Sequence, residues 1–271
     1  MMNDLERYEI LKKEVDSIQI QLGQEHGPWY KKPSNLISVI ALLFSFGTTI
    51  VSYINSHNED IRANHREAMA LIQRITKLPS ENFELMQKYK DSGPGQSLSG
   101  MISQENVLLA TQATNLVKRY PDTFSATEFF AIATALANSN IVDKVPYLFK
   151  TAIEKAETSN EYNSATRSYA FFLYSKGDYT EGKKYYEMAL SVWYKFPERN
   201  MYIVNSTDLT TLMYWSQAEL MANNVKEAEK LIAQAKDKLA QLFPSPSTTS
   251  LAMQVDYTVG LIERAKTGGS R

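Results

Sequence analysis

The chain has 271 residues, no cysteine, and 29 Lys plus Arg against 30 Asp plus Glu. This balance holds from residue 100 onward, with 18 of each sign, and it excludes the basic footprint of a nucleic-acid binder and a polybasic lipid-binding surface. The lack of cysteine excludes thiol catalysis, disulfides and Cys-ligated zinc, and leaves the redox compartment open. A hydrophobic content of 44% supports a packed core, and only 11 Gly and 9 Pro leave long unbroken runs that read as all-α.

Residues 1–30 form an N-terminal tail. Over 4–24, Tyr8, Leu11, Val15, Ile18 and Leu22 recur at three- and four-residue steps and predict a helix with one narrow apolar seam. That spacing suits a short coiled coil, or an amphipathic helix lying on a membrane or on another part of the chain. Gly23 and Gly27-Pro28 break it. Trp29 and Tyr30 then sit where interfacial aromatics belong, followed by Lys31 and Lys32. Pro33, Ser34 and Asn35 can start and cap the next helix.

Leu36 to Ile54 contains no charged residue. As a helix it extends about 28 Å, close to the hydrocarbon thickness of a bilayer, and predicts a single membrane span over 36–54. A signal peptide fits poorly, because the run follows an acidic helical tail and has no small-x-small cleavage site behind it. Lys31 and Lys32 before the span, against Glu59 and Asp60 after it, place the N-terminus in the cytoplasm and the C-terminal part outside. Ser38, Ala41, Ser45, Thr48 and Ser52 make a stripe of small and hydroxylated residues, opposite Leu43, Phe46 and Ile50. The stripe permits close packing with a second copy or a partner's helix. Equally, its hydroxyls can bond their own helix backbone.

Residues 55–90 read as a helical stalk, with Ile54, Ile61, Ala68 and Ile75 seven apart and Pro79 ending its main helix. His57, Asp60 and His65 suggest a metal, but His57 and His65 are about 80° apart around a helix, so no metal is expected. Residues 91–100, DSGPGQSLSG, read as a linker and a domain boundary.

From Met101 a helix runs to about Arg119. Three segments follow, near 126–158, 163–196 and 209–242, each reading as helix, turn, helix. Their turns hold Asn140, Gly177 and Asn223, the residue types that most easily take the left-handed conformation. Each second helix repeats a small or β-branched residue, a bulky one and an alanine. The sets are Val145, Phe149 and Ala152; Gly182, Tyr186 and Ala189; and Ala228, Ile232 and Ala235. Each first helix carries an apolar pattern: Phe129, Ile132, Ala133, Leu136; Thr166, Tyr169, Ala170, Leu173; and Leu212, Trp215, Ser216, where Glu219 breaks the series. Phe196 to Thr207 reads as an insert whose Met201, Tyr202, Ile203 and Val204 form a buried connection. Asn205-Ser206-Thr207 matches a glycosylation acceptor, a pattern common by chance. A last helix over 249–266 places Leu251, Val255, Val259 and Ile262 on one face and is expected to cap the stack, followed by a disordered tail, GGSR.

On these residues, above all GDYTEGKKYYEMAL from Gly177 and ANNVKEAEKLIAQA from Ala222, the chain resembles the tetratricopeptide-repeat family. The repeat starts are irregularly spaced, and the usual closing Pro is displaced to Pro197. The expected fold is all-α: one transmembrane helix, a helical stalk, and a tetratricopeptide-like α-solenoid of helical hairpins over 101–267. The resemblance implies a concave groove lined by the first helices, which takes a protein or peptide partner. Phe130, Thr134, Arg167, Phe171, Tyr174, Met213, Gln217 and Leu220 fall on its wall, unless flanking helices cover them. The wall is apolar with one cation, which suits an amphipathic segment. No nucleophile–base pair, phosphate loop or carboxylate dyad stands out, so neither catalysis nor a cofactor is expected. The expected function is a single-pass membrane protein that recruits protein partners to a bilayer through its repeats. The alternative is an oligomeric membrane effector or signalling subunit whose striped helices assemble when the repeats sense a signal.

Overall fold

The computed structural model describes residues 4–23, 33–89, 93–139 and 141–268. Trp29, Tyr30, Lys31 and Lys32, the expected interfacial and orienting flank, lie outside the described residues, as do Asn140 and the last three residues of the tail. Among the described residues the regular structure is entirely helical. The chain forms two compact units, Met1–Arg62 and Ala63–Arg271.

The first unit contains helix α1, Asp4–Gly23, and the beginning of helix α2, Pro33–Lys88. Leu11, Val15 and Ile18 of the α1 seam are half-buried, whereas Tyr8 is exposed. Helix α2 holds the apolar run. It is the one helix among the described residues that is long and apolar enough to cross a membrane, and none of its apolar window is buried. Ile37, Ile40, Leu43, Phe44, Ile50, Val51 and Ile54 all stand exposed. Such a contiguous apolar surface marks a membrane or partner contact rather than a face left in water. The stripe residues Ser38, Ala41, Ser45, Thr48 and Ser52 are exposed as well. Thr48 and Thr49 each donate their hydroxyl to the Ser45 carbonyl, at 2.9 and 2.8 Å, which is bonding within the helix rather than between helices.

In the second unit the end of α2 is not a free stalk. Ala68, Ile72 and Ile75 are buried in one core with Ala110, Ala113 and Val117 of helix α3, Gly93–Arg119. Asn64 donates to the Leu116 carbonyl at 3.0 Å, and Arg74 pairs with Glu105 at 2.8 Å. Rising numbers on α2 meet falling numbers on α3, so the two are antiparallel. Within the stretch expected as a linker, 91–100, α3 is already helical from Gly93. Gly and Ser propagate a helix poorly, and the packing of Ala110, Ala113 and Val117 against α2 offsets that cost. Pro79 does not end its helix either. It removes one backbone bond, while Arg74 is paired with Glu81 across it at 2.5 Å and Ile75 and Leu78, in the turn before it, are buried.

Beyond a 3-10 turn at Pro121–Thr123 come three helix pairs. They are α4 (Ala126–Asn138) with α5 (Val145–Lys155), α6 (Ser159–Ser175) with α7 (Tyr179–Leu190), and α9 (Met201–Met221) with α10 (Val225–Ala240). A short helix α8, Val192–Lys195, leads into α9, and α11, Pro246–Gly268, packs on α9 and α10. Helix α6 also contacts α4, α5 and α9, so the pairs stack in chain order.

Local chemistry sets these ends. Ser125 with Glu128 and Thr158 with Glu161 are reciprocal capping boxes that begin α4 and α6. Gly177 (φ 82°) and Asn223 (φ 59°) take the left-handed conformation. After each, the next N–H reaches back five residues: Asp178 to the Leu173 carbonyl at 3.0 Å, Asn224 to the Glu219 carbonyl at 2.8 Å.

All nine positions of the second-helix pattern, from Val145 to Ala235, are buried. At Gly182 helices α6 and α7 approach closely. A Cβ there would stand 2.5 Å from Cδ2 of Tyr174. One core joins α2 through α6. A second joins Ala170 and Tyr174 of α6 to Tyr186, Leu209, Trp215, Ile232, Val255 and Ile262.

The expected buried connection at 201–204 is instead the first turn of α9, with Met201 and Ile203 exposed. Asn205 is buried, donating to Gln241 and accepting from Lys238, a position that does not suit glycan attachment.

Candidate functional site

A concave feature of the second unit lies among α6, α9 and α11. It is a cavity of about 480 Å³ lined by Asn160, Asn163 and Arg167 of α6, Ser206 and Thr210 of α9, and Ser250 and Gln254 of α11, with other residues of α9 and α11 completing the wall. Of the lining residues, Arg167 carries the charge and no acid is among them. A larger hollow of about 880 Å³ is lined by α2 alone, from Ile40 to Glu59, and is the flank of the apolar helix.

The residues of α6 that face the cavity fall at three- and four-residue steps, which puts them on one side of the helix. Asn163 is the fixed point. It is 2% exposed, and its amide donates to the Ala189 carbonyl at 3.0 Å and to Thr211 Oγ1 at 3.1 Å. Its Oδ1 therefore points one way and accepts from Arg167 Nη1 at 3.0 Å. The guanidinium also lies over the Tyr214 ring, Cζ to centroid 5.0 Å. Burial pulls the Arg167 pKa below its ordinary value, with Tyr214 and Tyr186 opposing. Guanidinium offers five N–H donors. Among the described residues Arg167 makes one hydrogen bond and no ion pair with a carboxylate.

The wall expected from the repeat pattern is only partly open. Phe130 is half-buried against the first core, its ring 6.2 Å from that of Phe149. Thr134 is half-buried, and its hydroxyl finds no partner among the described residues. Tyr174 and Met213 are core residues at 3% and 2% exposure. Gln217 donates to Thr258 of α11 at 2.9 Å, and Leu220 packs against the second core. Phe171 alone of the apolar set is exposed, at 37%. So the expected apolar groove is not open. Helix α11 crosses α9 where that groove would run, and what stays accessible around Arg167 is polar.

Sequence reasoning found Arg167 but missed Asn160, Asn163, Ser206, Thr210, Ser250 and Gln254. A signal was present in the polar steps Asn160–Asn163–Arg167, Ser206–Thr210 and Ser250–Gln254, each on one helix face. Nothing local says that these three faces meet.

Glu219, which breaks the apolar pattern of the third first helix, closes a buried network. Its Oε1 accepts from Tyr174 Oη at 2.5 Å and Trp215 Nε1 at 3.0 Å, and its Oε2 accepts from Asn224 Nδ2 at 2.9 Å. Burial, and next the bond to Glu219, push the Tyr174 hydroxyl far above the ordinary tyrosine range. Burial raises Tyr169 to about 12. Tyr174 stays neutral over the whole working pH range and serves as a fixed donor to Glu219.

His65 stacks on Phe124 at 5.0 Å, 3.6 Å from Glu128, and His57 stacks on Tyr53 at 6.4 Å. No group of three metal-ligating side chains occurs among the described residues.

No family model, curated protein or solved structure matches this chain. The class is therefore defined by the geometry itself: an all-helical chain with one possible membrane-spanning helix and a unit of paired helices.

Proposed function

We propose that this protein is a single-pass membrane adaptor of the tetratricopeptide-repeat kind, which holds a partner protein at a bilayer through its paired helices. The observation that carries the reading is the apolar window of α2. It is wholly unburied, yet it belongs to a chain whose 63–271 unit has two well-filled cores. Leaving so much apolar surface in water is costly, and a bilayer removes the cost. The stacked pairs α4–α5, α6–α7 and α9–α10 support the repeat reading, as do the left-handed turns at Gly177 and Asn223. The cytoplasmic N-terminus and external C-terminal unit inferred from the flanking charges belong to the same proposal.

The partner contact is assigned to the exposed part of the first-helix wall around Phe171. A photoreactive phenylalanine analogue at Phe171, introduced into the full chain in its native membrane, tests it. The expected result is a crosslink to one defined protein, absent when the analogue replaces Tyr257, which is 62% exposed on α11. Equal crosslinking at both positions would refute a specific contact. The alternative, assembly through the Ser/Thr stripe, is less favoured, because Thr48 and Thr49 bond the Ser45 carbonyl of their own helix.

A further inference from the structure

We infer that the cavity among α6, α9 and α11 is a binding site for a small polar molecule carrying one carboxylate or phosphate group, seated on Arg167. The inference goes beyond the adaptor reading and does not depend on the membrane span, because every lining residue belongs to the 63–271 unit.

Four observations converge. Arg167 is a half-buried cation, and no acid lines its cavity. A cation taken from water without a carboxylate is costly, and such a charge is ordinarily paired. The guanidinium is also preorganised. Asn163 is locked by Ala189 and Thr211, and with the Tyr214 ring it fixes the plane, so little side-chain freedom is left to lose on binding. Arg presents its unused N–H groups as a fork that matches two oxygens of a carboxylate or phosphate.

The rest of the wall is amide and hydroxyl: Asn160, Ser206, Thr210, Ser250 and Gln254. Thr210 Oγ1 donates to the Ser206 carbonyl at 2.7 Å and Gln254 Nε2 to Ser250 Oγ at 3.4 Å, and both hydroxyl oxygens keep acceptor capacity for a ligand's donors. Such a wall suits a hydroxylated or amide-bearing body better than a hydrocarbon chain. A volume of about 480 Å³ lies within the range of small-molecule sites. One cation matches one anionic group.

The test is ligand-observed NMR on the full chain in detergent micelles at fixed ionic strength, with two probes. Inorganic phosphate is followed by its 31P linewidth, and acetate by saturation transfer to its methyl group. Two variants accompany the wild type. Arg167→Gln removes the cation and keeps a hydrogen-bonding amide. Ser250→Glu places a carboxylate on the cavity wall at an exposed helix position and leaves Arg167 in place. The expected result is binding of at least one probe by the wild type, weakened about tenfold or more in both variants. Binding of phosphate alone identifies a phosphorylated ligand, acetate alone a carboxylated one, and both the shared anion chemistry. No binding of either probe to the wild type, or binding that survives both substitutions, overturns the site. Should Arg167→Gln lose its helical circular dichroism, the Ser250→Glu comparison decides.

Discussion

Replacing Gly182 with alanine sets two effects of similar size against each other, and the structure says which wins. Alanine is favoured over glycine in a helix interior by about 1 kcal/mol. The new methyl, however, would stand 2.5 and 2.9 Å from Cδ2 and Cε2 of Tyr174 and 3.1 Å from the Ala170 carbonyl oxygen. The Tyr174 ring has nowhere to go. It is 3% exposed, its hydroxyl is bonded to Glu219 and Trp215, and it packs on Tyr186 at 5.8 Å. The alternative movement pushes α7 away from α6 along the whole pair. Overpacking of this kind costs about 1–3 kcal/mol. Loosening the Tyr174–Glu219 bond, made to a charged acceptor, adds about 1 kcal/mol or more. The net expectation is a loss of about 1–3 kcal/mol, which lowers Tm by about 2–12 °C for a unit of this size. Thermal unfolding of the full chain in detergent, followed by near-UV circular dichroism of the aromatics, measures it. A second arm places Gly182→Ala in a Tyr174→Leu background, where the cost should shrink. An unchanged or raised Tm in the Gly182→Ala protein would refute the close approach of α6 and α7.

Glu219→Leu restores the apolar pattern but strands Tyr174, Trp215 and Asn224, so it should destabilise by on the order of 3 kcal/mol in urea unfolding; a stabilised variant would remove the network's role. At Glu161 burial alone would raise the carboxyl pKa, but the hydroxyls of Thr127 and Thr158 and the N–H groups of Glu157 and Thr158 outweigh it, and the net direction is down. A folded pKa below the unfolded value, about 4.3, contributes stability above that value and loses it as pH falls through the folded one. Wild type and Glu161→Gln should thus converge in stability on acid titration below that value and separate above it; parallel curves would contradict the assignment. Phe44→Lys puts a charge at the middle of the exposed apolar run at a cost of about 3 kcal/mol, and should move the protein from the carbonate-resistant membrane pellet toward the supernatant, whereas unchanged extraction would argue against a span. Because the chain has no cysteine, Ser270→Cys carries its only thiol. Labelling by an impermeant maleimide in intact cells is expected, and labelling only after lysis would invert the proposed orientation.

Residue type and spacing were enough to place what depends on neighbours along the chain. Leu36 to Ile54 has no charge, so composition alone marks it as a stretch apolar enough to cross a membrane. Gly177 and Asn223 mark their turns because few other residues tolerate positive φ. Gly182, Tyr186 and Ala189, with their counterparts before and after, are buried because helical periodicity fixes which side of each helix can meet its pair. Tertiary structure alone decided the rest. Pro79 and the Gly/Ser stretch after Gly93 are local signals to stop, and both are overridden where α2 and α3 bury Ala68, Ile72, Ala110 and Ala113 together and tie Arg74 to Glu105. Glu219 looks like a defect until Tyr174, 45 residues earlier, is seen to donate to it. The cavity around Arg167 has no signature in any one segment, because residues of α6, α9 and α11 together line it. Periodicity tells a helix which face to hide, but contacts between residues dozens of positions apart determine what that face meets and which polar groups are left facing an open space.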